Sequence, residues 1–191
     1  MLIFISGGVR SGKSTYAENL LTSSLPNGDN PHYIATSINT DGEMASRINK
    51  HQQDREHSGY QWITWEKSRD IHELTDHIPG KSYVLLDCMT TWLNNELFGE
   101  VFDGSDDWMK KSFQKEKMDH ILYGITSLKQ HCSKVIVVSN EVSYEPLIDE
   151  GPVFQYVKVM GKLHQEIVGL SDQAYLIEQG LPILMKGMVL K

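Results

Sequence analysis

Residues 7–14 read Gly-Gly-Val-Arg-Ser-Gly-Lys-Ser and fill every position of the pattern G-x-x-x-x-G-K-S/T. The flanks fit as well. The apolar run Leu2-Ile3-Phe4-Ile5 precedes the stretch, and the helix-like Thr15-Tyr16-Ala17-Glu18-Asn19-Leu20-Leu21 follows it. Glycines at 7 and 12 let the backbone curl so that successive N–H groups point inward at phosphate oxygens. The helix behind them adds its positive N-terminal end. Lys13 is placed to reach the outer phosphates of a nucleotide, and the Ser14 hydroxyl to ligate Mg2+. A strand–loop–helix of this kind constrains the chain to an α/β fold more tightly than any other feature it has.

Whole-chain properties narrow the partners. The 191 residues suffice for one domain, residues 1–191, with a substantial core. A formal net charge of −7 and no dense Lys/Arg tract argue against nucleic acid or an anionic membrane as main partner. No apolar run approaches the length of a membrane span. The N-terminus lacks a basic region and spends its apolar run on a strand, so no signal peptide is expected. Cys88 and Cys132 lack metal-ligand spacing and adjoin apolar runs. Both read as reduced core thiols of a cytoplasmic protein.

Strand candidates are Leu2–Ser6, His32–Ala35, Gln61–Trp65, Ser82–Asp87, Lys134–Ser139, Ala174–Glu178 and Ile183–Lys186. Helical patterns separate most of them, and Pro26-Asn27-Gly28, Pro79-Gly80 and Gly180-Leu181-Pro182 punctuate the boundaries. Short continuous apolar strands alternating with helices imply a mostly parallel sheet covered on both faces. The helix Trp108–His131 reads as amphipathic, with Met118, Ile121, Leu122, Ile125 and Leu128 as its stripe. Residues 98–107, with Glu100, Asp103, Asp106 and Asp107, read as a solvated acidic loop. An antiparallel edge is expected around Met188–Leu190. Ligands of open α/β sheets bind beyond the carboxyl ends of the strands.

Two further elements suit that edge. Tyr83-Val84-Leu85-Leu86-Asp87 is four apolar residues and then an acid, the pattern in which a strand-end carboxylate meets Mg2+. Glu141, after the strand Val135–Val138, is open between assisting Mg2+ or a substrate hydroxyl and capping the next element. Residues 41–55 read as a helix on which Met44, Ile48, His51 and Arg55 share a stripe, with Arg47 one turn before His51. On these residues alone His51 is either a cleft residue or a satisfied structural histidine. His57, His72, His77 and His120 have no context that singles them out.

Taken together, the chain resembles the bifunctional adenosylcobinamide kinase/adenosylcobinamide-phosphate guanylyltransferases of cobalamin synthesis. The resembling residues are 7–14, Tyr33-Ile34-Ala35-Thr36-Ser37, Asp41, Glu43-Met44, Arg47-Ile48, His51, Arg55, Trp62, Thr64 and Glu66. Leu86 through Asn95 and Val138 through Val142 complete the set. The resemblance implies a P-loop α/β fold close to RecA and a homotrimer. It implies phosphorylation of adenosylcobinamide by ATP or GTP, then transfer of GMP from GTP onto adenosylcobinamide phosphate through a guanylyl-histidine. By position, His51 is the residue guanylylated. Gly8, Val9, Arg10, Ser11, Gly12, Lys13, Ser14 and Thr15 hold nucleotide phosphates. Ala35, Thr36, Ser37, Gln52, Gln53, Asp54, Arg55, Glu66 and Asp87 lie near the guanine nucleotide.

The chemistry agrees with these roles. A neutral imidazole is a competent nucleophile toward the α-phosphorus of GTP, with pyrophosphate leaving. Arg47 and Arg55 disfavour the imidazolium and can balance charge on the transferring group. In the kinase step Lys13 and Mg2+ offset charge while the hydroxyl is placed in line. Glu66 or Asp87 is available to accept from guanine, and the choice stays open if Asp87 serves Mg2+.

The chain departs from the family after Val142. Where paired arginines and Phe-Arg-Asp are usual it has Phe154-Gln155-Tyr156-Val157-Lys158, and His164 stands in for an asparagine. Glu56 follows Arg55 where proline is common. The expectation is that guanylyl transfer is kept while the cobinamide site is altered. The rival readings are a small-molecule P-loop kinase without a covalent step, and a nucleotide-binding protein that catalyses nothing.

Overall fold

The computed structural model describes residues 1–37, 58–99, 107–142 and 151–188. Seven strands form one sheet in the order β3-β2-β4-β5-β1-β6-β7. They are β1 (Leu2–Gly7), β2 (His32–Ala35), β3 (Ile63–Glu66), β4 (Tyr83–Asp87), β5 (Lys134–Asn140), β6 (Gln173–Glu178) and β7 (Leu181–Lys186). All neighbours run parallel except β6 and β7. The α-helices are α1 (Lys13–Thr22), α2 (Met89–Phe98), α3 (Lys111–His131) and α4 (Pro152–Leu170), with 3₁₀ turns at Ile71–Asp76 and Asp107–Met109.

Alternate residues of each central strand enter opposite cores, which is why these strands read as unbroken apolar runs. Ile3, Ile5, Leu85, Ile136 and Val138 pack with Ala17 and Leu21 of α1. Leu2, Phe4, Val84, Leu86, Val135 and Val137 pack with α2, α3, α4 and the first 3₁₀ turn through Trp92, Ile121, Ile125, Leu163 and Ile71. The long helix begins at Lys111 rather than Trp108, which lies in the 3₁₀ turn before it, and of the predicted stripe Met118, Ile121, Ile125 and Leu128 are buried while Leu122 is half-buried. Gly124 is buried with them, because α3 crosses Trp92 so closely that a Cβ there would lie 2.7 Å from the ring. The architecture is the P-loop α/β fold expected, with β5 lying between the loop strand β1 and the acid strand β4.

Three expectations need correction or bounding. The strand expected at Ile183–Lys186 is β7 and forms the antiparallel edge, while residues 189 and 190 of the edge expected around Met188–Leu190 lie outside the described residues. Gln179 and Gly180 both take positive φ (49° and 83°), the geometry of a tight hairpin that folds β7 straight back onto β6. Cys88 is not a core thiol. It sits at the carboxyl end of β4 with Sγ 3.2 Å from Thr91 Oγ1, whereas Cys132 is buried; both are free. The expected helix 41–55 and most of the acidic loop lie outside the described residues, although Asp107 begins a short 3₁₀ turn. Among the described residues no helix is long and apolar enough to cross a membrane.

Candidate functional site

Parallel pairing lines up the carboxyl ends of three strands. Ala35 is in register with Glu66 on one side and Asp87 on the other, so the candidates on β3, β2 and β4 form one row. Glu66 is exposed there, and Asp87 is half-buried. Asp87 Oδ2 accepts from the Tyr33 hydroxyl at 3.2 Å.

The loop after β1 closes over the same edge. Gly12 is left-handed (φ 88°) and caps α1. Gly7 is packed so closely that a Cβ would lie 2.6 Å from the Ile177 carbonyl oxygen, which excludes a side chain there. The loop is tied down by Ser11 N–H to Gly8 O at 3.2 Å, Gly180 N–H to Ser11 O at 2.8 Å and Glu141 N–H to Gly7 O at 2.9 Å. Val9, Arg10, Gly12 and Thr15 face solvent, while Gly8, Ser11 and Ser14 are half-buried. Lys13 is buried, and its Nζ donates to Gly8 O at 3.0 Å. Burial holds its pKa below the usual lysine value, against the attraction of Asp87 and Cys88, which raises it. Lys13 and Asp87 therefore share one field. Ser11 Oγ is shut off from solvent with no hydrogen-bond partner among the described residues. A polar atom orphaned in a glycine-rich loop that opens a helix is the mark of a cradle shaped for an anion.

Thr36 occupies a structural position. Its side chain is fully buried, donating to Cys88 O at 2.8 Å and accepting from Cys88 N–H at 3.0 Å. Asn95, buried on α2, donates to Thr36 O at 2.8 Å and to Ser68 O at 3.1 Å. Thr36 thus fixes the ends of β2 and β4 against each other, and Ser37 follows it at half-burial. His51, Gln52, Gln53, Asp54 and Arg55 lie outside the described residues, as do Arg47 and Glu56.

Next to the loop is a cleft of about 220 Å³ lined by Glu141, Val142, Val157, Met160, Gly161 and His164. His164 Nε2 lies 2.8 Å from Ser139 Oγ, which meets Thr90 Oγ1 at 3.1 Å. Thr90 also accepts from Asn140 N–H at 2.8 Å, and its carbonyl accepts from the Tyr156 hydroxyl at 3.2 Å. Burial lowers the His164 pKa, with Glu141 pulling the other way. Thr90 and Tyr156 were quoted from sequence only within longer stretches, with no role; their positions beyond β4 and on α4 join them to this network behind the cleft. The residues that depart from the family pattern after Val142 supply much of its wall.

The family model described as cobinamide kinase / cobinamide phosphate guanyltransferase matches residues 3–185. A bifunctional adenosylcobalamin biosynthesis protein, CobU, of Escherichia coli is 31% identical over 191 residues, 97% of this chain and 100% of that one. The CobU protein of Salmonella typhimurium is 31% identical over 97% of this chain and 100% of its own length. The CobP protein of Pseudomonas aeruginosa is 32% identical over 96% of both.

Proposed function

Since the chain belongs to the cobinamide kinase / cobinamide phosphate guanyltransferase family, we propose that it carries out both of that family's reactions at the carboxyl edge of its sheet. In the first, the hydroxyl of adenosylcobinamide attacks the γ-phosphorus of ATP or GTP. The bond to the β-phosphate oxygen breaks, the nucleoside diphosphate leaves and the hydroxyl proton is lost. In the second, the phosphate so formed receives GMP from GTP. The His51 imidazole attacks the α-phosphorus, pyrophosphate leaves, and the substrate phosphate oxygen then displaces the histidine to give adenosylcobinamide-GDP.

The observation that carries this reading is the convergence of Lys13, the loop N–H groups and Asp87 at one edge. Lys13 is already desolvated, so its charge acts at close to full strength on a phosphoryl group. It has only to exchange the Gly8 carbonyl for a phosphate oxygen. Ser14 and Asp87 are the residues that would hold Mg2+, which when bound offsets charge on the outer phosphates. Tyr33 keeps Asp87 oriented. Glu66, exposed at the end of the row, is free of the metal role and takes the guanine edge. Ala35 and Ser37 line the approach to it, and Gln52, Gln53, Asp54 and Arg55 join the nucleotide site by their family positions. The cleft under His164 is sized for a short arm rather than a macrocycle, so it takes the aminopropanol end of cobinamide.

Assembly as a homotrimer belongs to the same proposal. Leu181, Ile183 and Met185 form an exposed apolar row along β7, surface of the kind that subunits cover. Light scattering on the purified chain measures the state.

The deciding experiment incubates the chain with α-labelled GTP and Mg2+, then denatures it. Label remains on the wild type and is absent from His51→Ala. Unlabelled wild-type protein that still phosphorylates cobinamide from γ-labelled ATP would instead make this a simple kinase.

A further inference from the structure

On the sheet face opposite α1, the fold gathers residues that the nucleotide chemistry does not use. Asp70 stands at the start of the first 3₁₀ turn with φ 51°, and His72 follows within the turn. His120 comes from α3. One donor atom from each of Asp70, His72 and His120 lies within 4.8 Å of the other two. The two imidazoles meet edge to face with centroids 5.3 Å apart, and Tyr123 flanks His72 at 5.2 Å.

The contacts do not amount to a finished ion pair. His120 Nε2 is 3.0 Å from Asp70 Oδ1, yet it is buried without a hydrogen-bond partner among the described residues, as is His72 Nδ1. An N–H aimed along that 3.0 Å line would make a hydrogen bond. The nitrogen and oxygen are therefore close without facing each other, as ligands of a common third atom are. Two donors on a tetrahedral zinc-class ion lie about 3.3 Å apart. Glu96 stands behind the group with a side chain only 4% exposed. Its Oε1 accepts from Trp92 Nε1 at 3.0 Å and lies 3.8 Å from His120 Nε2. Its other oxygen is 3.9 Å from Lys117 Nζ, beyond a hydrogen bond. A carboxylate this buried calls for a closer countercharge. Two imidazoles with carboxylates suit zinc and its first-row neighbours, not Mg2+ or Ca2+.

We propose that Asp70, His72 and His120 bind a divalent transition-metal ion that ties the 3₁₀ turn after β3 to α3. The ion is structural: it clamps the segment that leads away from Glu66 and carries Ser68, whose carbonyl already accepts from Asn95.

The test is calorimetric titration of the metal-stripped full chain with ZnCl2, with Mg2+ in excess to cover the nucleotide site, at about pH 7.5 where free imidazole is neutral. The wild type binds one equivalent and melts at a higher temperature when loaded. His72→Gln and His120→Ala weaken that equivalent by more than about 100-fold, the upper end of what losing an outer-shell partner alone costs. Ser14→Ala leaves it in place. Co2+ replacing Zn2+ develops an intense visible band in the wild type and not in His72→Gln. A wild type that takes up no zinc, or an equivalent that survives both histidine variants, overturns the proposal. Half-buried His72 makes His72→Gln the informative variant if His120→Ala does not fold.

Discussion

Lys13 Nζ donates to the carbonyl oxygen of Gly8 across 3.0 Å, folding the side chain back over its own loop. In the proposed function this is the place where outer phosphate oxygens arrive. Replacing it by Ala or Met keeps the loop, whose backbone bonds do not involve the side chain. Both transfer reactions are then expected to fall by about 10²–10³-fold, the cost of removing one preorganised charge donor. Steady-state rates with circular dichroism as a folding control measure this. Near-wild-type rates in Lys13→Met would remove Lys13 from the chemistry.

Thr36 is expected to act on stability before it acts on nucleotide. Thr36→Val keeps the shape but removes the acceptor of Cys88 N–H. The Cys88 carbonyl keeps a second donor in Trp92 N–H at 3.1 Å. One stranded buried donor costs about 1–3 kcal/mol. Thr36→Ser, which retains the hydroxyl, loses less. Urea unfolding of the two variants separates this role from a purely ligand-contacting one, for which both would be as stable as wild type.

Gly124 is a packing constraint. An added methyl would press on Trp92, a fully buried ring anchored through Glu96. Overpacking of this kind costs about 1–3 kcal/mol, and a helical Gly-to-Ala change returns about 1 kcal/mol. Gly124→Ala is therefore expected to lose up to about 2 kcal/mol net by the same urea measurement. A stabilised variant would show that α2 and α3 separate easily.

Stability should fall on mild acidification. His32 is buried, its Nδ1 accepts from Trp65 Nε1 at 2.9 Å, and burial holds its pKa below the ordinary 6.5. His164 is lowered from 6.5 by the same cause. The unfolded chain therefore binds more protons than the folded one as pH drops below about 6.5. The contribution is complete above that value and is lost as pH falls toward the folded-state pKa. Melting curves from about pH 7 to about pH 5 are expected to slope less in His32→Gln with His164→Asn than in the wild type. Identical slopes would assign the acid sensitivity elsewhere.

The cradle and the strand cores were legible because both follow from local chemistry. Residues 7–14 carry their own geometry, and strands buried on both faces announce themselves as apolar runs. β7 was legible as the run Ile183-Leu184-Met185, but its start was read two residues late because Leu181 and Pro182 looked like part of the turn, whose tightness rests on the positive φ of Gln179 beside Gly180. The structural duty of Thr36 was invisible, since its partner Cys88 lies 52 positions away. The same holds for His72 and His120. They sit on different elements without ligand spacing, and only the packing of the 3₁₀ turn on α3 brings them together.

The placement of β5 beside β1 has a bearing on biogenesis. The strand bearing the phosphate motif has neighbours only in β5 and β6, so every ladder it joins is formed with residues 134–140 or 173–178. During synthesis, the first two-thirds of the polypeptide emerges with its motif written out and neither sheet neighbour of the motif's strand yet made. Affinity for triphosphate must arrive late and all at once, as the last third closes around the first strand.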